Sequence, residues 1–208
     1  MSTSTEILTF TLRSTIFDRH RQLTVTPEYL EFDDNDTAGA PPTRFLRSEL
    51  EALRYGVKAI NGYDFRIGRI YCIDIRSTDG RIIKLRLKSI YRVRLKQLES
   101  KYLDIVNTLY KYYFHDMVRR YVRSFQEGHS FDLLEINIDA DGVIFDKKIG
   151  RIPWDFLLTK RYWTYFTVFS GIDQGQYKAF TFEDDWNAGV LYGVLEMILK
   201  IKFPERKV

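Results

Sequence analysis

The chain has 208 residues, 45% of them hydrophobic and 29% charged, enough to bury a real core as one large domain or two small ones, which excludes a disordered chain. Its formal net charge of +4 permits an acidic partner but falls short of the excess seen in dedicated nucleic-acid binders. The single cysteine excludes a disulfide framework or a Cys zinc site within one chain, and Cys72, alternating with Tyr71 and Ile73, reads as a buried, inert thiol.

Residues 1–7 show neither a basic n-region nor an apolar h-region, so they are not read as a secretory signal, and a cytoplasmic location is expected. From Glu6 to Arg13, Leu8, Phe10 and Leu12 alternate with polar residues, the period of a half-buried strand. Leu23–Thr26 and Tyr29–Phe32 read as short strands around a tight turn that uses the fixed φ of Pro27. A loop rich in acidic and turn-forming residues follows at 33–42. Ser48 with Glu51 predicts the cap of a short helical turn. Strands are predicted at Gly56–Ile60, Phe65–Arg76 and Arg81–Lys88, the last two joined by the hairpin signal Thr78-Asp79-Gly80.

No Gly or Pro lies between Gly80 and Gly128. In Ile83-Lys84-Leu85-Arg86-Leu87-Lys88 every second side chain is apolar; from Leu95 the spacing changes to that of a helix, through Leu98, Tyr102, Ile105, Leu109 and Tyr112, with a second row at Tyr113, Met117, Tyr121 and Phe125. The prediction is one helix from about Leu95 to Glu127, in which about thirty helical residues span roughly 45 Å at about 1.5 Å per residue, joining two domains at 1–127 and 128–208.

The second half repeats this order. Leu23, Val25, Leu30 and Phe32 lie on Ile136, Ile138, Val143 and Phe145, and Arg44–Leu50 lies on Arg151–Leu157. Thr78-Asp79-Gly80 corresponds to Asp173-Gln174-Gly175, and the strand after each Gly hands over to a helix. In the second half that helix is expected to begin near Asp184-Asp185 and to bury Trp186, Val190, Leu191, Val194, Leu195, Ile198 and Leu199, with Lys200 and Lys202 at its basic end. The fold class is α+β: two tandem units, each a curved antiparallel sheet capped by a C-terminal helix. The run Tyr162–Ile172 is too short to span a bilayer as a helix.

Ile138-Asp-Ala-Asp-Gly142-Val143-Ile-Phe145, then Arg151-Ile152-Pro153-Trp154-Asp155, then a sheet and the Trp186–Val190 helix, resemble the bacterial pleckstrin-homology-like (PH-like) domains. The resemblance covers about residues 131–200, and 6–115 by analogy. It implies a seven-stranded barrel, whereas about five strands are read in the second half. The first loop, basic in phosphoinositide-binding members, is Thr26-Pro27-Glu28 in one copy and Asp139-Ala140-Asp141 in the other, which argues against a headgroup site there.

No catalytic residue is assigned. His20, His115 and His129 have no ligand-spaced carboxylate or cysteine, and His115 and Asp116 diverge by about 100° on a helix, so neither a metal nor a cofactor is expected. Asp139-Ala-Asp141-Gly142 opens like a calcium loop and 33–36 clusters carboxylates, yet neither continues into the twelve-residue pattern, and turns explain both. Nucleotide-binding and serine-nucleophile signatures are missing.

One feature carries functional weight. Lys84, Arg86 and Lys88 share a strand face, followed by Arg92, Arg94 and Lys96, where the second copy has Ala179, Thr181 and Glu183. Arg119, Arg120 and Arg123 near Tyr121 and Phe125 form a mixture that interfaces enrich. The expectation is a non-enzymatic interaction or scaffold protein that binds another protein or self-associates. The alternatives are a binder of anionic surfaces, nucleic acid or lipid headgroups, through Lys84, Arg86, Lys88, Arg92 and Arg94, and an enzyme with an inter-domain pocket.

Overall fold

The computed structural model describes residues 7–13, 19–35, 37, 40–63, 65–146 and 148–205. The signal-peptide reading of the N-terminus therefore lies, except for Ile7, outside the described residues, as do Glu6 of the first predicted strand and Asp36 and Gly39 of the acidic loop. The chain divides into two compact units, Met1–Phe114 and His115–Val208. Each is α+β, with antiparallel sheets and helix.

The first unit opens with a meander of β1 (Leu8–Leu12), β2 (Arg21–Val25), β3 (Tyr29–Phe32) and β4 (Thr43–Leu46), hydrogen-bonded in that order. Alternation places Leu23, Val25, Leu30, Phe32 and Phe45 on its buried face. At the β2–β3 turn the Thr26 hydroxyl accepts the N–H groups of Glu28 and Tyr29 at 3.2 and 3.1 Å, with Pro27 inside the turn. The helical turn after β4 is a short 3-10 segment, Arg47–Glu49, closed by the Glu49 carboxylate, which accepts the Leu46 N–H at 2.7 Å. The expected Ser48–Glu51 cap is thus displaced by two residues, and Glu51 pairs with Arg76 at 2.9 Å instead.

A second sheet follows: β5 (Leu50–Asn61), β6 (Arg66–Ser77) and β7 (Ile82–Ile90). The β6–β7 hairpin turns at Thr78-Asp79-Gly80, where Gly80 holds φ +86°, a conformation that suits glycine. Leu53, Ile73, Ile75, Ile83, Leu85 and Leu87 fill the inner face. Helix α1 (Leu95–Leu109) lies on β6 and β7 and buries Tyr102, Ile105 and Leu109, with the Tyr102 ring 5.1 Å from that of Tyr71. The long helical run expected from the apolar spacing contains a π-helical turn, Tyr110–Phe114, which puts Tyr112, Tyr113 and Phe114 in the core of this unit.

The second unit begins with α2 (His115–Gln126) and a short-stranded meander of β8 (Phe131–Leu133), β9 (Ile136–Ile138), β10 (Gly142–Ile144) and β11 (Arg151–Pro153). A 3-10 turn, Trp154–Phe156, leads into β12 (Leu157–Arg161), β13 (Tyr165–Ser170) and β14 (Tyr177–Thr181), and the chain closes with α3 (Ala188–Lys202). This unit has seven strands among the described residues, β8 to β14, where about five were expected. The strand β8 escapes sequence reading because the β8–β9 turn is Leu134-Glu135, at φ +54° and +59°, positions that Asn and Gly normally signal.

Helix α3 starts later than the acidic pair suggested. The Asp185 carboxylate accepts the Thr181 N–H at 2.7 Å, which ties it to the preceding turn, and Asn187 at φ +66° separates Trp186 from the helix. Val190, Leu191, Val194, Leu195, Ile198 and Leu199 are buried as the spacing required. A single capping helix per unit does not describe this half: α3 packs on α2 as well as on β12. Gly193 permits the approach, since a Cβ there would lie 3.2 Å from Val118 Cγ2. No helix among the described residues is long and apolar enough to cross a membrane.

Candidate functional site

The predicted basic residues lie in the first unit, at β7 and the turn that follows it. Lys84, Arg86 and Lys88 alternate with buried Ile83, Leu85 and Leu87 and so point away from the core. In register they face Asp74, Cys72 and Ile70 of β6, and Arg54 of β5 completes the row through Asp74. Asp74 is only 4% exposed. Arg54 Nε donates to its Oδ2 at 3.0 Å, and Arg86 Nη1 stands 2.5 Å from its Oδ1 while donating to the Leu85 carbonyl at 2.8 Å. One aspartate thus anchors two of the arginines of this face. Lys84 and Lys88 are exposed.

Arg92 and Arg94 occupy a turn in which Tyr91, Arg92 and Arg94 all have left-handed backbones, φ +51°, +62° and +55°. The Ser89 hydroxyl donates to the Val93 carbonyl at 3.0 Å and braces that turn. It projects Tyr91 and Val93 into solvent, 70% and 60% exposed, beside the exposed arginines. The start of β6 lies alongside: Gly68 faces Ile90 in register, and the Tyr91 N–H donates to the Ile67 carbonyl at 2.9 Å. The β5–β6 loop, closed by Gly62 N–H to Phe65 carbonyl at 2.8 Å, adds exposed Tyr63 and Phe65 to the same rim.

Between the start of β6 and the β7–α1 turn is a cleft of about 240 Å³. Arg66, Arg69 and Arg92 line it, over Ile67 and Leu95. Gly68 is needed for close approach there, because a Cβ would meet the Ser89 carbonyl oxygen at 2.1 Å. Two residues along β6 from Arg69, the buried Tyr71 hydroxyl makes no well-aligned hydrogen bond among the described residues; burial pushes its pKa up, with Glu99 adding to the rise and Arg69 opposing it. The structure therefore brings Arg92 together with two arginines that the sequence reading did not single out, while Lys84, Arg86 and Lys88 run away from the cleft along β7.

Two other charged clusters have structural employment. Asp139 Oδ1 accepts the N–H groups of Asp141 and Gly142 at 2.9 and 3.1 Å, and Arg151 bridges Asp139 at 2.8 Å and Asp141 at 3.4 Å, so the calcium-like sequence is a turn. Asp33 pairs with Arg19, whose guanidinium holds its carboxyl below the usual range. The aromatic residues of α2 face their own unit: Tyr121 packs on Phe131 and Phe125 on Trp154, with ring centroids 4.9 and 5.4 Å apart. No group of three His, Cys, Asp or Glu side chains suited to a metal occurs among the described residues.

Compared with known proteins, the chain matches no family model and no curated protein.

Proposed function

We propose that this is a non-enzymatic, cytoplasmic interaction protein made of two tandem PH-like units, and that the rim of the first unit is where it engages a protein partner. The tandem reading is supported by a recurring element order: a four-stranded meander, a 3-10 turn, a three-stranded sheet and a helix, in each unit. The aligned segments Arg44–Leu50 and Arg151–Leu157 both pass from strand through a 3-10 turn into strand. Among the described residues each unit has seven strands, the number that the PH-like resemblance implies.

The observation that carries the interaction reading is the rim itself. Tyr63, Phe65, Tyr91 and Val93 expose large apolar surface on two adjoining loops, interleaved with exposed Arg66, Arg92 and Arg94. Isolated exposed apolar residues mean little, but a cluster set among arginines has the composition of protein interfaces, where Tyr, Phe and Arg are enriched. Affinity capture with the intact chain, compared by quantitative mass spectrometry with a Tyr63→Ser/Tyr91→Ser variant, tests the reading. A discrete set of proteins lost from the variant is expected; an identical set would overturn it.

A second reading, binding to anionic surfaces, is favoured by exposed Lys84 and Lys88, for which no ion pair occurs among the described residues. It predicts that Lys84→Glu/Lys88→Glu abolishes retention on heparin or anionic liposomes at low salt, with affinity falling steeply as salt rises. Unchanged retention excludes it.

A further inference from the structure

We infer that the cleft lined by Arg66, Arg69 and Arg92 is a subsite for a phosphorylated side chain of the protein partner. The inference rests on the interaction reading above and names the chemical group that the partner presents to the rim. Three guanidiniums line about 240 Å³ of space, and no carboxylate among the described residues forms an ion pair with any of them. Glu99, the acidic residue acting on nearby Tyr71, makes no such pair either. Arginines clustered in this way repel one another, and elsewhere in this unit the protein neutralises them: Arg54 and Arg86 share Asp74, and Arg19 pairs with Asp33.

The charge count selects the ligand. A carboxylate offers one charge and two oxygens, whereas a phosphate monoester offers about −1.5 to −2 and three strong acceptor oxygens. Three planar donor forks equal the latter's three acceptors in number, and its double charge offsets more of theirs than a carboxylate's single one. Depth selects the carrier. Arg66 and Arg92 are exposed at the mouth, but Arg69 is half-buried, opposite buried Ser89 on the inner side of the sheet. A single projecting side chain reaches it, whereas a flat layer of lipid headgroups meets the outer two. Ile67 and Leu95 give the cleft apolar walls against which the stem of such a side chain can pack, and the rim aromatics receive its neighbours.

Calorimetry on the full chain at low salt, with phosphoserine and glutamate each blocked as N-acetyl methylamides, tests this directly. Blocked phosphoserine is expected to bind about ten-fold more tightly than blocked glutamate. Arg69→Gln and Arg92→Gln should each weaken phosphoserine about ten-fold, while Lys84→Gln and Lys88→Gln change it less than about two-fold. Arg92, on an exposed turn, keeps the test valid if Arg69→Gln disturbs folding. Three results would overturn the assignment: no measurable phosphoserine binding, equal losses in the lysine variants, or cleft-dependent binding to vesicles of phosphatidylcholine with phosphatidic acid but not to phosphoserine. Any of these, alongside a captured partner that still depends on Tyr63 and Tyr91, removes the phosphate subsite and leaves the interaction reading standing.

Discussion

Arg86 Nη1 stands 2.5 Å from Oδ1 of Asp74, whose other oxygen accepts from Arg54 Nε at 3.0 Å. This ion pair changes the meaning of the basic strand. The carboxylate side chain is 5% exposed and the two arginines each about a third, so the cluster lies over the small residues Gly56 and Cys72 of the outer face and holds three strands together. Removing the aspartate leaves two guanidiniums facing each other; Asp74→Ala should therefore lower stability by about 3 kcal/mol in urea unfolding. Lys84→Gln on the same face should change it by less than about 0.5 kcal/mol. Equal effects would show that the row is merely a solvated surface.

Tyr113 reaches back to the β2–β3 turn, its hydroxyl 2.6 Å from the Thr26 carbonyl and 2.7 Å from that of Tyr29. Tyr113→Phe should cost about 1 to 2 kcal/mol, because the one phenolic proton that the two carbonyls share is lost in a buried place. Burial also pushes the hydroxyl pKa well above its ordinary value of 10.0. The folded chain then keeps a proton that the unfolded chain releases, so this contribution is intact below pH 10 and declines as pH rises beyond it. Wild type should lose stability faster than Tyr113→Phe above pH 10, a comparison that chemical denaturation at stepped pH can make.

At the β6–β7 hairpin, Asp79 accepts from Ser77 Oγ at 2.5 Å, the Arg81 N–H at 3.1 Å and Arg81 Nε at 2.6 Å. These bonds, that of Ser77 foremost, lower its pKa from 3.8 to about 2. Here the unfolded chain binds the proton first, so the contribution is complete above pH 3.8 and disappears as pH falls toward 2. Melting temperature followed from pH 5 to 2 should fall further for wild type than for Asp79→Asn over that interval, and parallel curves would contradict the assignment.

Gly193 and Val118 set the spacing of α3 on α2. Gly193→Val places new methyl groups where a Cβ already meets Val118 Cγ2 at 3.2 Å, and should cost about 1 to 3 kcal/mol through overpacking. Adding Val118→Ala should recover part of that loss, since residues in contact are not additive. Independent effects would mean that the helices do not meet at these positions.

Strand periods, the Thr78–Gly80 hairpin and the apolar face of the last helix were legible in the sequence because burial alternates there with the period of the element. What escaped is instructive in each case. The β8–β9 turn uses Leu134 and Glu135 in left-handed conformations and sends no turn signal, and the π-helical turn at Tyr110–Phe114 conserves apolar spacing while changing the hydrogen-bond register. Asp184-Asp185 reads as a helix start by charge, yet Asp185 serves the turn before it. Of the arginine cleft, only Arg92 was visible as part of a basic run. Counting strand register outward from Thr78–Gly80 would have set Arg69 opposite Ser89 and Arg66 near Arg92, so the signal existed in pairing distance and not in local composition.

The most direct measurement is site-specific photo-crosslinking from the rim in cells that make the protein, with a benzophenone side chain replacing Tyr63, Tyr91 or, as a control on α1, Leu103. Positions 63 and 91 should give the same discrete adduct, either with one other protein or at twice the mass of this chain, and position 103 should give none. Adducts of equal yield from all three positions, or none from the rim, would contradict the account.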